Sequence, residues 1–197
     1  MLRAGKVGLR ARDEADVVVL HTELYADIAT RVRADSRPWL PIPAGSAASP
    51  YAVGEPRADV AVFSVVELAG GELAGEALLW AIDLHNRMAH LGVSLRPAFR
   101  GRGLGADVVV ALCEYGFAVR GLHRLQVDTL ADNTAMIRAA TRSGFVPEGR
   151  LRQAAWVNGD FADEVILGLL RADWGSGGNR LAGQDENPRT GEADHLR

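Results

Sequence analysis

Ten residues constrain this chain more than any others: Arg96-Pro97-Ala98-Phe99-Arg100-Gly101-Arg102-Gly103-Leu104-Gly105. A strand-like run, His90-Leu91-Gly92-Val93-Ser94-Leu95, stops just before Pro97, which cannot donate to a sheet ladder. Directly after the turn comes the clearest helical pattern in the chain. Over 103–120, Leu104, Val108, Leu112, Tyr115 and Val119 recur at spacings of four, four, three and four, one apolar stripe. Gly121 stands where a C-terminal cap glycine belongs. A strand, a glycine-rich turn and a helix in that order aim backbone N–H groups and the positive end of a helix dipole at one spot. Gly101, Gly103 and Gly105 let the backbone approach a bulky anion, and Arg100 and Arg102 add charge-assisted donors suited to phosphate. A pyrophosphate is the natural occupant. The P-loop of nucleotide hydrolases needs Gly-Lys-Ser/Thr, which is absent. The dinucleotide fingerprint, Gly-x-Gly-x-x-Gly early in a βαβ unit, differs in spacing and position, which weakens a nicotinamide oxidoreductase reading. A turn that merely starts a helix explains the three glycines less well.

Around this motif the pattern predicts an α+β domain. Strands are expected at 7–10, 59–67, 73–83, 90–95, 123–130, 145–150 and 163–170. Gly70-Gly71 turns the second into the third, Gly75 marks a bulge, and Asn158-Gly159 is a hairpin turn signal. Helices are expected at 14–32, with Val18, Leu20, Leu24 and Ile28 inward, and at 133–143. The stretch 36–56 holds five of the eight prolines and reads as a long loop, of a length that is often functional. After Trp174 large apolar side chains almost vanish, so residues 1–174 form the domain and 175–197 a flexible tail.

Charge and cysteine content narrow the function. With 22 basic and 25 acidic residues the net charge is −3, so no overall basic field argues for nucleic acid. One cysteine, Cys113, excludes an intramolecular disulfide and a multi-cysteine metal site. The five histidines show no metal-ligand spacing, so no metal is expected. The first residues lack the apolar stretch of a secretory signal, and no apolar run approaches the ~18 residues of a membrane span. A cytoplasmic location without membrane partners is the default expectation.

Several motifs in order resemble the GCN5-related N-acetyltransferase (GNAT) superfamily, in particular its RimJ/RimL-like branch, which modifies N-terminal amines of ribosomal proteins. Arg100-Gly101-Arg102-Gly103-Leu104-Gly105 is similar to the Arg/Gln-x-x-Gly-x-Gly/Ala loop of that family. The run from Asn86 to Pro97 resembles the strand leading into it. Asp132-Asn133-Thr134-Ala135 and Ser143-Gly144-Phe145 resemble its asparagine-containing helix and exit, and Glu148 to Arg152 and Asn158 to Asp163 its closing strands. The likeness spans about residues 7–172. It implies a mixed, mainly antiparallel central sheet flanked by helices, with two strands splayed to form the acyl-CoA cleft. It implies acyl transfer from acetyl-CoA to a primary amine, by direct attack in a ternary complex. It also implies that Val93, Ser94 and Leu95 line the pantetheine, that Arg100, Gly101, Arg102, Gly103, Leu104, Gly105 and Ala106 wrap the pyrophosphate, and that Asn133 reaches the pantetheine side. On the residues alone, Asn133 is either a helix cap or a ligand contact. A homodimer through edge strands is plausible by the same likeness.

Aminolysis of a thioester needs a neutral amine, a polarised carbonyl and eventual protonation of the thiolate. A backbone N–H near Val93 can polarise the carbonyl. His90, of a residue type that titrates near neutrality, is the first candidate base, the alternative being a histidine simply packed in its strand. Glu76 is the second, the alternative being a charge on a solvated sheet face. Where the branch often carries a serine proposed as general acid, this chain has Met136, which cannot donate a proton. That departure motivates the other class of function, a CoA-binding regulatory or scaffold domain without efficient turnover. Cys113, in the middle of the apolar helix, reads as a packed thiol. The acceptor is expected where the 36–56 loop meets the N-terminal helix, with Trp39 as an aromatic wall or a plug over the core, and with Tyr51 and Asp163 as contacts for an ammonium group.

Overall fold

The structure, a computed structural model, describes residues 1–35 and 37–176. Of the expected tail, residues 177–197 lie outside the described residues. Eight strands form one sheet: β1 (Leu2–Ala4), β2 (Val7–Arg10), β3 (Ala61–Glu67), β4 (Leu73–Asp83), β5 (Met88–Leu95), β6 (Arg124–Leu130), β7 (Val146–Val157) and β8 (Asp160–Leu170), in the order β1-β2-β3-β4-β5-β6-β8-β7. Every neighbouring pair is antiparallel except β5 and β6. The expected bulge is present: the β3–β4 register slips between Val65 and Val66, beside Gly75. A Cβ at Gly75 would stand 2.2 Å from the Ser94 carbonyl oxygen, so only glycine lets β4 come this close to β5. Asn158 and Gly159, both at positive φ, join β7 directly to β8. The two strands therefore run longer than their apolar stretches predict.

Helices cover both faces. α1 (Glu14–Leu20) leads into one π-helical turn, His21–Tyr25, and then α2 (Ile28–Ala34), which restarts at Asp27, whose carboxylate accepts from the Thr30 N–H. α3 (Leu104–Glu114) also ends in a π-helical turn, Tyr115–Val119; α4 (Thr134–Arg142) and α5 (Arg171–Ser176) follow. A π turn holds one more residue than an α turn and so rotates the inward face. Two sequence expectations fail there. Ile28, beyond the first π turn, and Val119, at the end of the second, are exposed, while Gly116 and Phe117 are buried in place of Val119. Val18 is also exposed, because the α1 face turns on Val17, Leu20 and Leu24.

The main core lies between the sheet and α3, where Leu104, Val108, Leu112 and Phe117 pack on Leu79, Leu91 and Leu125. Trp174 of α5 packs its ring 5.4 Å from that of Phe117, so the packed body reaches that far. On the opposite face Val17, Leu20, Leu24, Tyr25 and Tyr51 form a smaller core under α1 and α2.

The pairing of β5 with β6 is short. It lasts for three residue pairs, Met88 with Arg124, Ala89 with Leu125 and His90 with Gln126. Beyond them β5 stays on β4 as far as Leu95 opposite Gly75, and β6 stays on β8 as far as Leu130 opposite Glu164. The sheet forks at His90.

Candidate active site

The glycine loop stands at the open end of the fork. After Leu95 the chain makes a short 3₁₀ turn, Pro97–Phe99, and enters α3 through Gly101 at φ +72° and Gly103 at φ +83°. Both angles lie where a side chain is strained. Nothing stands within 4 Å of the place where a Cβ would project from either glycine, so both positions face open space. Leu104, Gly105 and Ala106 begin α3, and their N–H groups have no intrahelical acceptor. The two arginines are not alike. Arg100 Nε donates to the Leu95 carbonyl at 2.9 Å. Arg102 is held by Glu67 of β3, with N···O distances of 2.7 and 2.9 Å, over the ring of Phe99. Part of its charge is therefore already neutralised within the protein.

At the closed end of the fork the strand pleat collects a polar strip. Opposed residues share a face, so Trp80 of β4, His90 of β5 and Gln126 of β6 project to the side of α1 and α2. Two residues further along β6, Asp128 does the same. Its carboxylate meets His90 Nδ1, while Gln126 Nε2 donates to its other oxygen at 2.8 Å. Gln126 in turn accepts from Arg124 at 3.1 Å, and Arg124 is ion-paired to Glu148 of β7. Trp80, 42% exposed, lies against His90 with ring centroids 4.4 Å apart. Burial pushes the Asp128 carboxyl up, but the bonds from His90 and Gln126 outweigh it and hold the group below its ordinary range. His90 and Asp128 are both partly exposed, and Nε2 of His90 has no protein partner among the described residues. Asp128, Gln126 and Trp80 were not singled out from the sequence. The signal was there in His123-Arg124-Leu125-Gln126-Val127-Asp128, where polar residues alternate with apolar ones and so share one face.

The other predicted residues are placed as follows. Val93, Ser94 and Leu95 lie, half-buried, on the β5 arm of the fork. Asn133 caps α4: its side-chain oxygen accepts from the Met136 N–H at 3.2 Å and its amide donates to Thr129 at 2.9 Å. Met136 packs against the main core. Glu76 occupies neither a solvated face nor an open cleft. It is buried, with its carboxylate 2.6 Å from the buried Arg12 guanidinium. Burial pushes its carboxyl up, and Arg12 opposes the rise. Tyr51 is 1% exposed in the small core, beneath the Arg12 guanidinium, and cannot touch an acceptor there. Trp39 donates its indole N–H to the Tyr25 carbonyl at 3.0 Å and packs, half-buried, on the same core. Asp163 is taken up by Arg150 and the Gln153 N–H, at the edge of a cavity of about 280 Å³ shared with Ala131, Asp132 and Ala162. Cys113 is fully buried, and burial pushes its thiol up, the reverse of what a nucleophile needs. Among the described residues no group of three or more His, Cys, Asp or Glu could hold a metal ion, and no helix is long and apolar enough to cross a membrane.

The sheet thus forks beside a glycine-rich helix start, and comparison with known proteins identifies the family that shares this fold. The profile of the acetyltransferase (GNAT) domain family matches residues 6–146, and the chain belongs to that family. YdaF of Bacillus subtilis (strain 168) is 31% identical over 104 residues, covering 53% of this chain and 57% of YdaF. The spermidine N(1)-acetyltransferase of Vibrio cholerae (serotype O1) is 26% identical over 110 residues, covering 56% of this chain and 64% of that enzyme. The matches thus span less than two thirds of the length of either relative. Among solved structures, RimL, a ribosomal L7/L12 alpha-N-protein acetyltransferase in complex with coenzyme A, superposes with a TM-score of 0.67 at 23% identity, over 85% of this chain and 96% of that one. At that identity the likeness is one of fold.

Proposed function

We propose that this chain transfers an acetyl, or a larger acyl, group from its coenzyme A thioester to a primary amine. One observation carries the reading: the fork opens from His90 toward the glycine loop, so a base at His90 and an anion cradle at the loop would stand at opposite ends of the β5 arm. From His90 to Leu95 the strand advances roughly 17 Å at ~3.3 Å per residue. A linear carrier anchored by its pyrophosphate in the loop and laid along this arm ends beside His90. The open space at Gly101 and Gly103, where a side chain would intrude, would admit a pyrophosphate. Backbone N–H groups of Gly101 to Ala106 and the side chain of Arg100 would hold it, with Arg102 set by Glu67. Backbone groups of Val93 to Leu95, freed from β6 by the fork, would bond the pantetheine amides. Asn133 shapes this wall by capping α4.

Coenzyme A supplies the activated thioester; the rest is done by the chain. An N–H near Val93 polarises the acyl carbonyl. The acceptor amine bonds to the acyl carbon through its nitrogen lone pair, and the carbon–sulfur bond breaks. The proton shed by nitrogen passes to Nε2 of His90 and returns to the departing sulfur through solvent, which makes good the missing acid at Met136. Trp80, exposed beside His90, offers the acceptor an aromatic surface. A protein N-terminus and a small polyamine are the two acceptor classes to test, since relatives are named for ribosomal-protein alanine and for spermidine. A cytoplasmic location goes with this reading, and the exposed edge strand β7 would serve a homodimer.

The test is calorimetry with acetyl-CoA, CoA and NAD, followed by an acetylation assay on N-terminal peptides and spermidine. Binding of CoA species without NAD, with thiol release that depends on an amine, is expected. CoA binding without turnover on any amine would favour the scaffold reading; no CoA binding would overturn both.

A further inference from the structure

We infer that Asp128 is a positioning residue for His90: it fixes the imidazole as the tautomer protonated on Nδ1, so that the Nε2 lone pair faces the cleft. The inference rests on the reading of His90 as the base. A neutral imidazole has one donor and one acceptor nitrogen, and its neighbours choose which is which. Here the choice is forced by a chain of partners. One Asp128 oxygen accepts from Gln126 Nε2, whose amide is oriented because its own oxygen accepts from Arg124. Arg124 is anchored by Glu148 from β7. The other Asp128 oxygen faces His90 Nδ1 and, as a carboxylate, can only accept. Nδ1 must therefore donate. Trp80 stacks on the ring, with centroids 4.4 Å apart, and limits its rotation. Asp128 is ion-paired to the imidazole, and Arg124, further back on β6, is ion-paired to Glu148.

Asp128→Asn tests this sharply. With Gln126 still donating to the remaining oxygen, the new amide would turn its N–H₂ toward His90, and Nδ1 would have to accept. In the ligand-free protein, long-range ¹H–¹⁵N correlation spectra at alkaline pH, with His90 assigned by His90→Gln, should show Nδ1 protonated in the wild type and Nε2 protonated in Asp128→Asn. In turnover, Asp128→Asn should lower kcat at least tenfold and leave the CoA Kd within twofold. Asp128→Glu, which keeps the charge, should recover part of the rate and the Nδ1-protonated ring. His90→Ala/Asp128→Asn should be no slower than His90→Ala alone. An unmoved tautomer, a wild-type kcat in Asp128→Asn, or losses that multiply in the double variant would overturn the positioning role and leave His90 as the base. A wild-type rate in His90→Ala would overturn the base assignment and the positioning role together.

Discussion

Two carboxylates project from the same face of the sheet, Glu76 on β4 and Asp128 on β6, and their surroundings give them opposite work. Glu76 lies under α1, sealed, with Arg12 as its partner. Asp128 lies at the fork, partly open, with a histidine as its partner. An arginine never gives up its proton in a protein, so the Glu76 pair can only hold charge still. A histidine keeps a second ring nitrogen that can take a proton while the first stays bonded, so under the proposed mechanism the Asp128 pair can pass one on. On that reading the sheet keeps its structural electrostatics and its chemical electrostatics two strands apart. What separates them is the cover of α1 and α2 on one side and the failure of β5 to stay paired with β6 on the other.

The contrast can be broken by substitution. Glu76→Ala should have the largest effect, a loss of about 3–5 kcal/mol in unfolding free energy, because it leaves the buried Arg12 charge unpaired. Denaturant unfolding checks it, and the pH profile of any residual activity should keep its shape. His90→Ala should do the reverse: a fall in kcat of roughly 10²-fold or more with little change in melting temperature. If Glu76→Ala moved the acidic limb and His90→Ala did not, the division of labour drawn above would be inverted.

A third carboxylate sharpens the structural side. Asp16, on α1, accepts from Ser64 of β3 and from both terminal nitrogens of Arg10. Burial pushes its carboxyl up, but these bonds and the Asp13 N–H outweigh it and bring it to about 2. A carboxyl depressed on folding adds stability above its unfolded value, near 3.9, and loses it as pH falls through the folded one. Asp16→Asn should therefore cost about 2 kcal/mol at pH 7, a cost that shrinks between pH 4 and pH 2. Urea melts across that range decide it. The smallest effect is expected at the loop. Gly103→Val places a branched side chain at φ +83° in that open space, and the affinity for CoA should fall about tenfold, read by calorimetry.

Much of this frame was legible in the chain itself. Gly-x-Gly-x-Gly between a strand and an amphipathic helix pointed to an anion cradle, and Asn158-Gly159 located the last hairpin. His90 is a candidate base on its residue type alone, with a packed histidine as the alternative. Its partner is not legible there, because Asp128 sits 38 residues away and meets it only through a parallel register that no local period encodes. The same limit hid the burial of Tyr51. A proline-rich stretch reads as surface, yet this one folds its tyrosine beneath Arg12. The exposed Val119 and Ile28 were misplaced for a different reason: one extra residue in a helical turn cannot be seen in a pattern that assumes 3.6 per turn.

The three-pair contact between β5 and β6 carries a last consequence, for exchange with solvent. Past His90 the edges of β5 and β6 that face each other present amides with no strand to bond. Their hydrogens should swap for deuterium far faster than those on the β4 and β8 sides of the same strands. An acyl carrier lying in the fork would supply the missing acceptors and slow that exchange on the facing edges alone. Alternate amides along five residues of one strand thus form a built-in reporter of occupancy, readable before any acceptor amine has been found.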